Sequence, residues 1–122
     1  MAGVPPDGLT HLRITLSDTA YIGPGRADLL ELIDKTGSIS AAGKAMGMSY
    51  KRAWGLVQAL NEGFGTALVE SSRGGATQGG AQLSAAGRLV LASYRAMQDK
   101  TRSAIADEVT ALRRKFDMSG RK

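Results

Sequence analysis

The side chains able to make specific polar contacts gather in one segment, Gly37 to Asn61, GSISAAGKAMGMSYKRAWGLVQALN. Lys51 and Arg52 offer cationic donors, and a guanidinium fork matches a phosphate or the major-groove edge of guanine. Ser49, Tyr50 and Gln58 add neutral donors and acceptors of the kind that meet phosphates and base edges. Trp54 adds a ring, and Gly55 removes bulk between these groups. A second cluster, Arg73-Gly74-Gly75, opens a run with four glycines in the eight residues 73–80. The chemistry on offer is the binding of a polyanion. Bond-making chemistry lacks its parts. The chain has no cysteine and one histidine, His11, with no ligand or nucleophile near it in sequence. Asp28, Glu31 and Asp34 read as the wet face of one helix, with no metal-ligand set beside them. Neither an enzyme, a cofactor nor a metal site is expected.

Two helices and a turn must position the first cluster. Ser38 or Ser40 can cap the first helix, because a serine oxygen accepts from the orphan N–H groups of an opening turn. Both also stand at the start of that helix as contact candidates. Ala41, Ala42, Ala45 and Met46 give it a small apolar face, and Gly47 is suited to the left-handed conformation that ends a helix. Ser49 caps the second helix, expected over residues 50–61. At ~100° per residue, Ala53, Leu56, Val57 and Leu60 share one face, and Lys51, Gly55 and Gln58 the opposite one. Tyr50 and Trp54 lie on one rim, with Arg52 toward the other. The outer face carries no acid before Glu62. Two short helices about a glycine-containing turn have the spacing of a DNA-reading pair. Ordinary solubilising charge at Lys51 and Arg52 and a chance glycine at 55 are the competing readings. Trp54 is equally suited to packing on the preceding helix or to meeting DNA.

The rest of the chain reads as support. Residues 1–10, with Pro5, Pro6 and two glycines, are expected to be disordered. HLRITLS (11–17) alternates Leu12, Ile14 and Leu16 with polar residues, the pattern of a half-buried strand. Arg26 to Thr36 form a helix with Leu29, Leu30, Leu32 and Ile33 inward. Ala67-Leu68-Val69 and Ala81-Gln82-Leu83 read as the strands of a hairpin around the glycine run, a wing over 70–82 placed to touch backbone or minor groove. A nucleotide-binding loop is excluded there by the lack of GxxxxGK[ST] and of a strand-to-helix context. Ser84 caps a last helix reaching Phe116. Val90, Tyr94, Met97, Thr101, Ile105, Val109, Leu112 and Phe116 recur along it every three or four residues, a stripe that predicts a homodimer seam. Residues 117–122 form a basic tail. The expected class is mainly α with a small β-hairpin: a winged helix-turn-helix over 11–84 and a dimerisation helix over 85–116.

Charge agrees with this division. Of the net +5 over 122 residues, residues 1–37 carry −2, residues 38–83 carry +2 and residues 84–122 carry +5. Positive potential segregated from the N-terminal support attracts a phosphate backbone, and double-stranded DNA is the expected partner. No apolar run approaches the ~20 residues of a membrane span, so a cytoplasmic protein is expected, without a membrane partner.

The segments TGSIS, AAGKAMGMSYKRAW and the glycine-rich wing leading into QLSAAGRLVL resemble the N-terminal DNA-binding domain of the ModE family of molybdate-responsive transcription regulators. More distantly they resemble the winged helix-turn-helix of LysR-type regulators. The resemblance covers residues 11–116. It implies a dimeric bacterial regulator linked to molybdenum metabolism, with the helix after Ser49 in the major groove and Ser49, Tyr50, Lys51, Arg52, Trp54 and Gln58 in contact. Family regulators carry C-terminal oxyanion-binding domains beyond this point, so the resemblance implies DNA binding here and leaves two alternatives for the signal: a separate effector-sensing protein, or action without one. The alternative function is a winged-helix module that binds an acidic protein instead of DNA.

Overall fold

Serine and glycine punctuate this chain, and the helices follow that punctuation. The computed structural model describes residues 7–72 and 80–118. Its elements run β1 (Ile14–Thr15), β2 (Tyr21–Ile22), α1 (Pro24–Thr36), α2 (Ile39–Ala45), α3 (Tyr50–Phe64), β3 (Val69–Ser72), β4 (Gly80–Leu83) and α4 (Ala85–Lys115). Pro24 takes the opening turn of α1, where the N–H it lacks would have had no helical partner. Gly37 at φ 72° and Gly65 at φ 68° close α1 and α3 in the left-handed region. The Ser84 hydroxyl accepts from the Gly87 N–H to cap α4, and itself donates to the Ala67 carbonyl at 2.6 Å.

The core lies between α1, α3, the wing base and the first half of α4. Leu29, Leu30, Ile33, Val57, Leu60, Leu68 and Tyr94 are wholly buried there. Each such aliphatic side chain stabilises by roughly 1.5–3 kcal/mol relative to exposure. β3 and β4 pair antiparallel with Val69 opposite Leu83 and Ser72 opposite Gly80. Ala81 N–H donates to the Gly37 carbonyl at 2.9 Å, tying the wing base to the α1–α2 junction. Asn61 of α3 holds the other side, its Oδ1 accepting from Leu68 and Val69 N–H and its Nδ2 donating to the Val69 carbonyl. The base of the wing is thereby fixed against the helix pair.

Several expectations are corrected. The strand expected over 11–17 shrinks to Ile14–Thr15, because the Ser17 hydroxyl accepts from Thr19 and Ala20 N–H and turns the chain. Leu16, expected inward, is exposed. α2 buries Ile39, Ala42 and Gly43, and leaves Ala41 and Ala45 in water. α3 runs three residues past Asn61, because Gly63 lets it pass directly over the Thr19 carbonyl where a side chain would collide. The hairpin's first strand is Val69–Ser72, further along than 67–69. Asp7 and Gly8, in the stretch expected to be disordered, lie beside α4: Asp7 pairs with Arg102 at 2.8 Å, and a Cβ on Gly8 would stand 3.4 Å from Val109. The ion pair outweighs their loop-like composition. Residues 1–6 lie outside the described residues.

Asp28, Glu31 and Asp34 form a docking face instead of an idle solvent face. Arg95 donates to Asp28 and Glu31 at 2.9 and 2.7 Å, and Arg88 to Asp34 at 2.9 Å, joining α1 to α4. The guanidinium of Arg95 beside Glu31 holds that carboxyl below its ordinary value, against the opposing effect of burial. Burial works against the charge on Arg95, and the two carboxylates outweigh it, so its pKa rises. Arg88 and Arg95, seven residues apart on one helix face, were the sequence signal for this pairing.

Candidate nucleic-acid interface

The helix pair is locked by small residues and hydroxyl caps. The Ser38 hydroxyl accepts from Ala41 N–H at 3.0 Å, and the Ser49 hydroxyl from Arg52 N–H at 3.1 Å. Between them Gly47, at φ 74°, makes the turn that a side chain would strain. α2 and α3 approach so closely that a Cβ placed on Gly43 would lie 2.8 Å from the Cβ of Ala53. Both helices therefore hold one crossing geometry, and α3 is presented rigidly.

The inward face of α3 is Ala53, Val57 and Leu60, all buried. Leu56, expected fully inward, sits at the boundary. Ser49, Lys51, Arg52, Gly55 and Gln58 are all exposed along the outer side, as the periodicity predicts. Nothing lies within 4 Å of the position a Gly55 Cβ would take. Ser49, Lys51, Arg52, Gly55 and Leu56 line an open groove of about 410 Å³ on this face. Tyr50 is 56% and Trp54 37% exposed, so Trp54 stands on the rim and is not a core residue. Ser40 is exposed beside the helix pair, whereas half-buried Ser38 spends its lone pair on the cap and bridges through its backbone to Gly80. No ion pair among the described residues engages Lys51 or Arg52. The acids of α1 meanwhile pair with arginines of α4, while α3 carries Lys51 and Arg52 and no acid before Glu62.

The wing base stands beside this surface, but its tip, with Arg73, Gly74 and Gly75, lies outside the described residues. The α4 stripe divides. Tyr94, expected at a dimer seam, is wholly buried within its own domain and donates its hydroxyl to the Leu12 carbonyl at 2.7 Å. Burial pushes its phenol pKa up. Val90 likewise packs on the core. A Tyr at helical spacing reads the same whether its cover is its own domain or another chain, and here it is its own. Met97, Ile105 and Val109 are half-buried and Leu112 is 60% exposed, on the part of α4 that runs past the body. Leu112, Phe116 and Met118 leave a large apolar surface at the end of this 31-residue helix.

This arrangement coincides with a known family over its central part. Residues 26–88 match the family described as "Bacterial regulatory helix-turn-helix protein, lysR family". The chain belongs to this family. It spans α1 through the first turn of α4, the region that holds the helix pair and both wing strands. Among curated relatives, the chain is 42% identical over 93 residues to the "Molybdenum-pterin-binding protein MopB" of Rhodobacter capsulatus, covering 75% of this chain and 34% of that protein. It is 38% identical over 96 residues to the "Molybdenum transport protein ModE" of Azotobacter vinelandii, covering 79% of this chain and 33% of that one. It is 36% identical over 83 residues to the "DNA-binding transcriptional dual regulator ModE" of Escherichia coli, covering 68% and 32% respectively. The chain thus spans about one third of the length of the curated relatives it matches. Among solved structures it resembles that titled "Crystal structure of CbnR_DBD-DNA complex", with a TM-score of 0.56, 25% identity and coverage of 71% of this chain and 95% of the other. The winged helix-turn-helix fold and the ModE- and LysR-like character of this LysR-family chain are therefore established. The family is one of regulators, and no membrane-spanning helix is found among the described residues.

Proposed function

We propose that this LysR-family chain binds double-stranded DNA as a cytoplasmic dimer and regulates transcription, with α3 in the major groove and the wing on the backbone or minor groove. One observation carries the reading. The exposed face of α3 offers Lys51, Arg52 and Gln58 around an unobstructed Gly55, with no acid among residues 50–61. Such a face lets a duplex approach the helix backbone while cations meet phosphates and bases. The names of its relatives connect them to molybdenum and to DNA, which supports a place for this regulator in molybdenum metabolism. Ser49, Tyr50 and Trp54 flank the contact, with Ser40 and the backbone of Ser38 near phosphates; Arg73, Gly74 and Gly75, outside the described residues, are further contact candidates by sequence.

A partner α4 packed along Met97, Ile105, Val109 and Leu112 would place two α3 helices on two half-sites. Asp7 and Gly8 already lie beside part of that face, so a partner helix shares it with them. The test is selection of bound genomic fragments, followed by affinity measurement on the selected site and a scrambled duplex. Lys51→Ala and Arg52→Ala are each expected to cost about 1–3 kcal/mol on the selected site where a base is read, narrowing the gap to the scrambled duplex. Unchanged affinity in both variants overturns this docking.

A further inference from the structure

Beside the N-terminal end of α3 lies a second cationic recess, which the sequence reading does not single out. It has a volume of about 250 Å³ and is lined by His11, Arg13, Tyr21, Arg26, Arg52 and Leu56, together with the Gly23-Pro24-Gly25 start of α1 and, as an apolar wall, Met46 and Met48. That is room for a small anion with part of its hydration shell. Its walls come from five places in the chain: the N-terminal segment, the β1–β2 ribbon, the first turn of α1, the α2–α3 turn and α3.

Three guanidiniums line the recess. Arg13 and Arg26 both stack on Tyr21, their guanidinium carbons 3.7 and 3.9 Å from the ring centroid, and so lie on its two opposite faces. Each ring face attracts the cation that covers it. No carboxylate lines the recess, and none pairs with Arg13, Arg26 or Arg52 among the described residues. On α4, by contrast, Arg88, Arg95 and Arg102 each reach a carboxylate. The Nε of Arg26 is buried, in a guanidinium that stacks on Tyr21 and reaches no carboxylate among the described residues. The opening turn of α1 adds to this potential: it carries no acid, and Gly23 provides no capping side chain for its free N–H groups.

We propose that this recess binds one phosphate-like oxyanion among the guanidiniums of Arg13, Arg26 and Arg52. Planar guanidinium forks suit phosphate oxygens better than point charges do. Arg52 and Leu56 line both this recess and the α3 groove. A duplex lying on α3 therefore brings a backbone phosphate to the mouth of the recess. A free inorganic dianion has the same chemistry and is the other source. In its DNA form the proposal rests on the function proposed above, and in its free-anion form it does not.

Two measurements on the full chain separate these sources. In the first, Arg13→Gln and Arg26→Gln, which keep length and polarity and lose charge, are compared with the parent for duplex binding across about 50–200 mM salt. A DNA phosphate in the recess lowers the slope of log K against log salt by about 0.9 for each arginine removed from it, and weakens selected and scrambled duplexes by the same factor. In the second, inorganic phosphate is titrated at constant ionic strength without DNA, following the side-chain Nε–H resonances of Arg13 and Arg26 and the Tyr21 amide. Saturation with a Kd below about 1 mM, abolished in Arg26→Gln, assigns the recess to a free dianion. Thermal melts confirm that the variants remain folded, and Tyr21→Phe, which keeps the ring, is expected to retain whichever binding is found. Unchanged salt slopes together with no saturable phosphate binding overturn the proposal. If the parent binds no duplex at all, the function proposed above fails, and saturable phosphate binding alone would still support the recess.

Discussion

Gly43 and Gly55 sit on either side of the same turn, and replacing each by alanine is expected to move stability in opposite directions. At Gly55 the new methyl meets nothing within 4 Å, so the gain is that of alanine over glycine in a helix interior, about 1 kcal/mol. For a domain of this size that corresponds to a rise in Tm of about 4 °C. At Gly43 the methyl would stand 2.8 Å from the Cβ of Ala53, an atom fixed to the α3 backbone with no rotamer to escape into. Overpacking of this kind costs about 1–3 kcal/mol, which exceeds or cancels the same propensity gain. DNA affinity separates the two sites again. Gly55→Leu adds a side chain where a duplex must come closest, and is expected to weaken binding at least about tenfold, or ~1.4 kcal/mol, while the protein melts no lower than the parent. Thermal melts and fluorescence anisotropy on the same samples provide both readings. Should Gly43→Ala stabilise as much as Gly55→Ala, the close α2–α3 crossing is wrong; should Gly55→Leu bind like the parent, α3 does not lie against DNA.

Three further outcomes follow from the packing around α4. Tyr94→Phe keeps the buried ring and removes the hydroxyl that donates to the Leu12 carbonyl, and is expected to lower stability by about 1–2 kcal/mol in urea titrations without altering the salt dependence of DNA binding. The Glu31 carboxyl titrates below its ordinary 4.5 because Arg95 hydrogen-bonds it. A depressed folded-state pKa gives stability that is complete above 4.5 and is lost as pH falls through the folded value. The stability gap between the parent and Arg95→Met, followed by chemical denaturation, should therefore close as the solution is acidified below that point. Leu112→Glu places a charge on the projecting apolar end of α4 and is expected to leave a folded monomer where the parent sediments as a dimer.

Legibility differed between element boundaries and element partners. Most helix boundaries are local: Ser49 and Ser84 cap where their spacing to the following N–H groups predicts, Ser38 caps where the sequence offered Ser38 or Ser40, and Gly37 and Gly47 turn where only a residue without Cβ does so cheaply, whereas the end of α3 at Gly65 lies past the Asn61 expected. The outward set on α3 was readable for the same reason, since a 3.6-residue period assigns faces without knowing what covers them. Partners were less readable. Tyr94 and Leu112 fall on one stripe, yet one is sealed under the N-terminal strand and the other projects into water. The carboxylates of α1 looked idle because their arginines lie more than fifty residues away.

Taken alone, the order of residues determines the helix-turn-helix, its caps and the cationic face of α3, because these depend on interactions within about four positions. Tertiary structure alone decides what each face meets. Arg13, Arg26 and Arg52 are scattered over forty residues and become neighbours only when the ribbon, α1 and α3 converge on Tyr21. Side-chain period records direction relative to a helix or strand axis. Contact between distant elements depends on how those axes cross, and no local spacing encodes the crossing.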